Sequence, residues 1–289
     1  MNEASGSFAG VGGRRIFWHS WAPARTARGV IVLVHGAGEH SGRYEHVVAR
    51  LVDEGYAVHA SDHRGHGRSD GPRAFIEDMD DVVADVDSLV DRAVRSQPAV
   101  PLFMLGHSMG GLIALRYALI HQQRLSGLIL SAALAAIESV PKPLELVGRA
   151  LSVVAPRTPL IAIDATLVSR DAAVVEAYIS DPLVHHGKLP ARTAAQLADA
   201  VESLPATVGA ITVPALILYG TADGLAPPAG SEMLAERIGS ADRTFKAYEG
   251  LFHEILNEPE RDAVLDDIVA WLDARVRTGE PEAAGSSRS

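Results

Sequence analysis

The sequence predicts an α/β fold in which a mostly parallel sheet is flanked by helices and interrupted by a helical insertion, and three observations predict it. Nearly continuous apolar runs such as GVIVLV at 29–34 and LFML at 102–105 have the pattern of strands buried on both faces. Amphipathic helical patterns follow these runs in turn, and strand alternating with helix builds a parallel sheet covered on both sides. Between residues 135 and 207 the rhythm stops. Helical patterns continue there, prolines stand at 141, 143, 156, 159, 182, 190 and 205, and no convincing strand is present.

The elements follow in order. Residues 1–13 are small and polar, and the sheet is expected to start with 15–21, which alternate and are aromatic, as a half-exposed edge strand would be. After the buried strand at 29–34 comes an amphipathic helix over 44–54, stopped by Gly55, and a strand over 57–61. A helix over 78–95 carries one apolar stripe of Val82, Val83, Val86, Leu89, Val90 and Ala93, with acidic residues in its first turn where they oppose the helix dipole. Pro98 and Pro101 close it. The strand at 102–105 leads into a helix ending near His121, and strands at 128–131, 215–219 and 244–248 precede a last helix over 259–276. The expected organisation is a core of residues 1–134 and 208–276, a helical cap over 135–207, and a disordered tail over 277–289 too poor in apolar residues to pack.

With 47% apolar residues in 289, the chain can bury a substantial core without a metal or disulfide. Its 36 acidic against 26 basic residues leave a formal charge of −10, which repels nucleic acid and anionic lipid at long range. Cysteine is absent, so neither a disulfide framework nor a thiol nucleophile is available. The N-terminus has no export signal, and no apolar run reaches the roughly 20 residues that cross a bilayer. The expected location is the cytoplasm, with association with the cell envelope as the alternative.

Chemistry enters at Gly106-His107-Ser108-Met109-Gly110, between a buried strand and a helix. A sharp strand-to-helix turn forces the central serine into a strained conformation, and side chains two residues to either side would collide there, so glycine is required. A serine hydroxyl needs a base, and the base needs a third group to fix its tautomer; in α/β-hydrolase sheets the chain order is serine, acid, histidine. Asp223, in the Gly220-Thr221-Ala222-Asp223 turn after the strand at 215–219, stands where such an acid belongs, and His253 lies on the loop before the last helix. Asp242 and Glu254 are the rival acids, and Asp242 precedes a strand instead of ending one. An oxyanion formed at Ser108 would be met by the N–H of Met109 and, from the glycine-rich turn His35-Gly36-Ala37-Gly38-Glu39, by that of Ala37. The run Asp62-His63-Arg64-Gly65-His66-Gly67-Arg68-Ser69 invites a metal reading, but zinc catalysis would want ligands from other elements, so its histidines read as braces for the oxyanion turn. His185 and His186 read as surface residues. Neither metal nor cofactor is expected.

His35 to Tyr44 (HGAGEHSGRY), Asp62 to Ser69 (DHRGHGRS), the serine turn and Gly250 to Glu254 (GLFHE) together resemble the monoacylglycerol lipase family, in its mycobacterial form, over about residues 8–275. Ser169-Arg170-Asp171 and 178–183 (YISDPL) extend the likeness into the cap. The resemblance implies an α/β-hydrolase fold and hydrolysis of monoacylglycerols to glycerol and fatty acid. It also implies that Glu39, Arg43 and Tyr178 lie near the glycerol end of the site. Lysophospholipases and broad carboxylesterases carry similar motifs and remain alternatives, as does a ligand-binding protein on the same fold. Peptidases and acyltransferases can use the same triad; epoxide hydrolases and dehalogenases place aspartate where Ser108 stands. Leu144, Val147, Leu151 and Val154 recur at helical spacing in the cap, either as an apolar rim touching lipid surfaces or as packing onto the core.

Overall fold

In the computed structural model, which describes residues 1–137 and 141–277, eight strands of the described residues form one sheet. Numbered along the chain, they lie in the order β1 (Asn2–Ala9), β2 (Arg15–Ala22), β4 (Tyr56–Ser61), β3 (Gly29–Val34), β5 (Leu102–His107), β6 (Gly127–Ser131), β9 (Ala215–Gly220) and β10 (Arg243–Tyr248). β1 and β2 pair antiparallel, as do β2 and β4, and the remaining pairs are parallel.

Every residue of β3 is buried, because Val30, Val32 and Val34 face one apolar cluster while Ile31 and Leu33 face another. The first cluster includes α2 (Met79–Ser96) and α3 (Met109–His121), and the second α1 (Glu45–Asp53) and α8 (Arg261–Arg277). Two covered faces explain why the strand reads apolar without alternation. Asp78 caps α2 by accepting the Asp80 N–H at 2.9 Å, and the stripe from Val82 to Ala93 is buried against the sheet.

Two sequence expectations are corrected at the N-terminus. Residues 2–9 form a strand, and the aromatic strand β2 is therefore not the edge of the sheet. β1 is small, polar and weak in strand propensity, so its order comes from pairing with β2 along its whole length, from Asn2 opposite Ala22 to Ala9 opposite Arg15. Gly12 and Gly13, at φ 69° and 74°, make the connection.

Between β6 and β9 the chain leaves the sheet for α4 (Lys142–Val154), α5 (Ala172–Ser180) and α6 (Ala191–Thr207). It also contains a two-stranded ribbon, β7 (Pro159–Ile161) with β8 (Leu189–Pro190), where the sequence predicted no strand. Strands this short, each containing proline, carry no periodicity to read. Several bonds tie the insertion to the core loops, among them His185 N–H donating to Gly38 O (2.7 Å), Glu254 N–H to Val168 O (2.8 Å), and His40 Nε2 meeting Asp181 Oδ2 (2.9 Å). A helix the sequence reading did not name, α7 (Pro228–Arg237), joins β9 to β10. Of the expected tail over 277–289, Arg277 ends α8, while residues 278–289 and the cap residues 138–140 lie outside the described residues.

Candidate active site

Ser108 stands between β5 and α3 with φ 55° and ψ −121°, a conformation that costs a non-glycine residue of order 1–3 kcal/mol. Neighbouring glycines make the turn feasible. A Cβ on Gly106 would lie 2.4 Å from Gly110 O, and one on Gly110 would lie 2.0 Å from Val34 O. The turn is held from both sides: Ser108 N–H donates to Ser131 O at 3.1 Å, and Ser108 O accepts from Leu134 N–H at 3.0 Å.

Met109 is the first residue of α3, so its N–H has no intrahelical acceptor by geometry, and it lines a cavity of about 890 Å³ together with Ser108, Ala37 and His253. Gly36 precedes Ala37, and its N–H donates to Glu39 Oε1 at 2.6 Å, which fixes the turn at its start. Gly38 follows at φ 76°. Behind this turn His35 and His63 are interlocked: His63 N–H donates to His35 Nε2 (3.0 Å), and His63 Nε2 lies 3.1 Å from His35 O. That pairing makes His35 Nδ1 the donor to Gly36 O at 2.8 Å. Burial lowers the pKa of both rings and of His66, His63 to about 3 and His66 to about 4, so they stand neutral. Asp62 accepts from Ser41 N–H and Oγ and from Arg68 N–H. Among the described residues no group of histidines and carboxylates is arranged to hold a metal.

His253 and Asp223 meet at the end of β9, where His253 Nδ1 lies 2.8 Å from Asp223 Oδ2. Asp223 Oδ1 also accepts the N–H groups of Leu225 (2.8 Å) and Ala226 (2.9 Å), which anchors the carboxylate. Burial pulls the His253 pKa down, but Asp223, Glu254 and Glu39 outweigh it, leaving the imidazole above its ordinary value. Of the rival acids, Asp242 pairs with Arg275 at the surface, and Glu254 engages Arg43 with both carboxylate oxygens in a two-point ion pair.

Of the residues expected near glycerol, Glu39 and Tyr178 line the cavity, while Arg43 lies behind them with its guanidinium 4.7 Å from the Tyr178 ring centroid. Sequence reasoning gave His107 no role. Its ring sits 4.7 Å from that of His253, and burial, with His253 beside it, lowers its pKa to about 3, so it packs as a neutral face against the base. Its only signal was adjacency to Ser108. The cavity continues between α4, β7 and α6 past Val147, Leu160, Ile161 and Leu197, an apolar passage leading away from the polar end.

The sheet order, the strained serine turn and the Asp223–His253 pair at the strand ends define the α/β-hydrolase class. Residues 25–260 match the Hydrolase_4 family, serine aminopeptidase S33. The monoacylglycerol lipase of Mycolicibacterium smegmatis is 46% identical over 267 residues, 92% of this chain and 95% of that one. The human monoglyceride lipase is 37% identical, with 92% and 89% of the two chains covered. In structure, the monoacylglycerol lipase of Paleococcus ferrophilus superimposes with a TM-score of 0.80 at 31% identity, covering 95% of this chain and all of the other. The chain belongs to the monoacylglycerol lipase family of α/β-hydrolases.

Proposed function

We propose that this protein is a carboxylic ester hydrolase that cleaves monoacylglycerols to glycerol and free fatty acid through a serine acyl-enzyme. Ser108 Oγ bonds to the ester carbonyl carbon while His253 Nε2 takes its proton, and Asp223 holds the ring in the tautomer that leaves Nε2 free to accept it. The carbonyl oxygen, now anionic, receives the N–H groups of Met109 and Ala37. The carbon–oxygen bond to glycerol breaks as His253 passes the proton to the leaving oxygen. Water, deprotonated by the same histidine, then releases the acid and regenerates Ser108. His253 carries each proton, first from Ser108 to the glycerol oxygen and then from water back to Ser108 Oγ.

The observation that carries the reading is the 2.8 Å Asp223–His253 bond on the wall of the cavity into which Ser108, strained at φ 55°, also projects. Residues 1–134 and 208–276 serve as the catalytic core and 135–207 as the cap. Glu39 and Tyr178 form the polar end that receives glycerol, and the passage past Val147 and Leu197 takes the acyl chain. The cap also supplies a contact with lipid surfaces, since Leu146, Val153 and Val154 of α4 are 70%, 74% and 84% exposed.

The test is labelling with a fluorophosphonate followed by turnover on monoacylglycerols, lysophospholipids and p-nitrophenyl esters. Ser108→Ala is expected to lose labelling and about 10⁴-fold or more of the turnover with its thermal midpoint intact. Turnover retained by that variant overturns the mechanism. A wild type that prefers lysophospholipids or simple esters overturns the substrate while leaving the chemistry standing.

A further inference from the structure

Beside the triad stand three buried charges that the proton relay does not use. Arg43 lies in the short turn Ser41–Tyr44 that follows the oxyanion loop. Its Nη1 donates to Glu39 Oε2 at 2.8 Å and to Glu254 Oε1 at 2.5 Å, and its Nη2 to Glu254 Oε2 at 2.8 Å. All three side chains are less than 10% exposed, at 9%, 4% and 6% for Arg43, Glu39 and Glu254. Both carboxylates hold other groups as well. Glu39 Oε1 accepts the Gly36 N–H and the Tyr44 hydroxyl, each at 2.6 Å, and Glu254 Oε2 accepts Asn257 Nδ2 at 2.8 Å. Gly36 immediately precedes the oxyanion donor Ala37, and Glu254 immediately follows His253. From the insertion, Tyr178 of α5 covers the guanidinium.

We infer that Arg43 is a positioning residue: it locks the oxyanion turn, through Glu39, to the loop of the general base, through Glu254, and its charge balances two carboxylates that face His253. This rests on the triad reading above and assigns Arg43 a different part from a ligand of the glycerol head group. Glu39, Glu254 and Tyr178 line the cavity and Arg43 does not, so an incoming hydroxyl meets the carboxylates and the phenol first. The guanidinium fork is already engaged on both carboxylates in a geometry that an ammonium cannot copy.

Removing one member of a buried charge cluster leaves the others uncompensated. The groups facing His253 are Asp223 across Nδ1, Glu254 on its own loop, Glu39 from the oxyanion turn and the neutral His107 ring from the serine turn. Without Arg43, Glu39 and Glu254 act on His253 at full strength and favour its protonated form. The Ala37 and His253 loops also lose the bridge that the guanidinium makes between them.

The experiment compares full-length wild type with Arg43→Gln, Arg43→Lys and Glu254→Gln on a monoacylglycerol and on the p-nitrophenyl ester of the same acid, with active sites counted by fluorophosphonate. For Arg43→Gln, kcat per labelled site is expected to fall roughly tenfold to a hundredfold on both substrates, with KM within about threefold of wild type. The acid limb of kcat/KM is expected to move up by about one pH unit. Arg43→Lys restores the limb but only part of kcat, and Glu254→Gln moves the limb down. A loss confined to the monoacylglycerol makes Arg43 a glycerol ligand and overturns the inference. Fewer labelled sites with unchanged kcat per site and an unmoved limb reduce Arg43 to a plain structural brace. Should Arg43→Gln fail to fold, an unmoved limb in folded Glu254→Gln overturns the inference by itself. A failed triad reading is distinguishable, since wild type would then show no label on Ser108.

Discussion

At the residue scale, the Ser108 hydroxyl projects into the cavity because its backbone is held where few side-chain-bearing residues go, and the atoms that hold it leave no room beside it. Gly110 faces Val34 O and His35 O, both main chain, so neither can rotate away from an added methyl. Gly110→Ala is therefore expected to destabilise the fold by about 3 kcal/mol or more, read as a lowered denaturant midpoint; a near-native midpoint would show the turn to be softer than its contacts. The base carries a second prediction. Asp223, Glu254 and Glu39 hold His253 above the ordinary imidazole value, so kcat/KM is expected to rise with pH through a midpoint above 6.5. Asp223→Asn, which leaves the ring but removes the charge and the tautomer lock, is expected to lower kcat by about 10⁴ and pull that midpoint down. A flat profile between pH 5 and 8 excludes His253 as the base. Ser108, Asp223 and His253 could each be singled out from sequence because their local contexts, strand ends and glycine turns, are short-range. Arg43 meeting Glu254, 211 residues away, has no local signal, and neither does the ring of His107 against His253.

At the scale of elements, α4 is the part whose sequence left two readings open, and its exposure favours one. Of the expected stripe, Leu144, Val147 and Val154 are exposed and Leu151 is half-buried; Leu146 and Val153 beside it are exposed too, and Leu144 and Val147 also line the cavity. A helix packed only onto the core would bury that stripe. Arg149 of the same helix pairs with Glu145 one turn before it and, on α6, with Asp199 and Glu202, in an exposed cluster of modest energetic weight. Replacing Leu146, Val153 and Val154 together by glutamine is expected to reduce turnover of long-chain emulsions several-fold while sparing short dispersed esters. Equal loss on both would return α4 to a packing role. Strands covered on both faces, such as β3 and β5, were legible as apolar runs. β1 and the β7–β8 ribbon were not, because their partners and not their residues make them strands.

At the scale of the molecule, acid sensitivity follows from the histidines the fold encloses. Burial lowers the pKa of His35, His63, His66 and His107 in the folded state, whereas in the unfolded chain they titrate near 6.5. Between 6.5 and about 3 the unfolded chain therefore binds more protons, so their contribution is whole above pH 6.5 and is lost as pH falls toward 3. His46 and His59 are lowered by burial as well, so His253, held above its ordinary value, contributes in the opposite sense as one against six. The thermal midpoint is expected to fall steadily from pH 6.5 to 4, and His66→Gln, at a ring whose Nε2 has no hydrogen-bond partner, to flatten that fall. A midpoint constant across this range contradicts the burial argument.

The sequence by itself determined the α/β alternation, the serine turn, the chain order of triad candidates and the place of the insertion. All of these are written in short-range patterns: apolar period, glycine spacing and the residue types at strand ends. Only the tertiary structure decided that β1 closes the sheet and that Arg43 bridges the oxyanion turn to the loop of the base. Those outcomes depend on packing between segments up to some two hundred residues apart, where direction and burial select among chemically equivalent side chains.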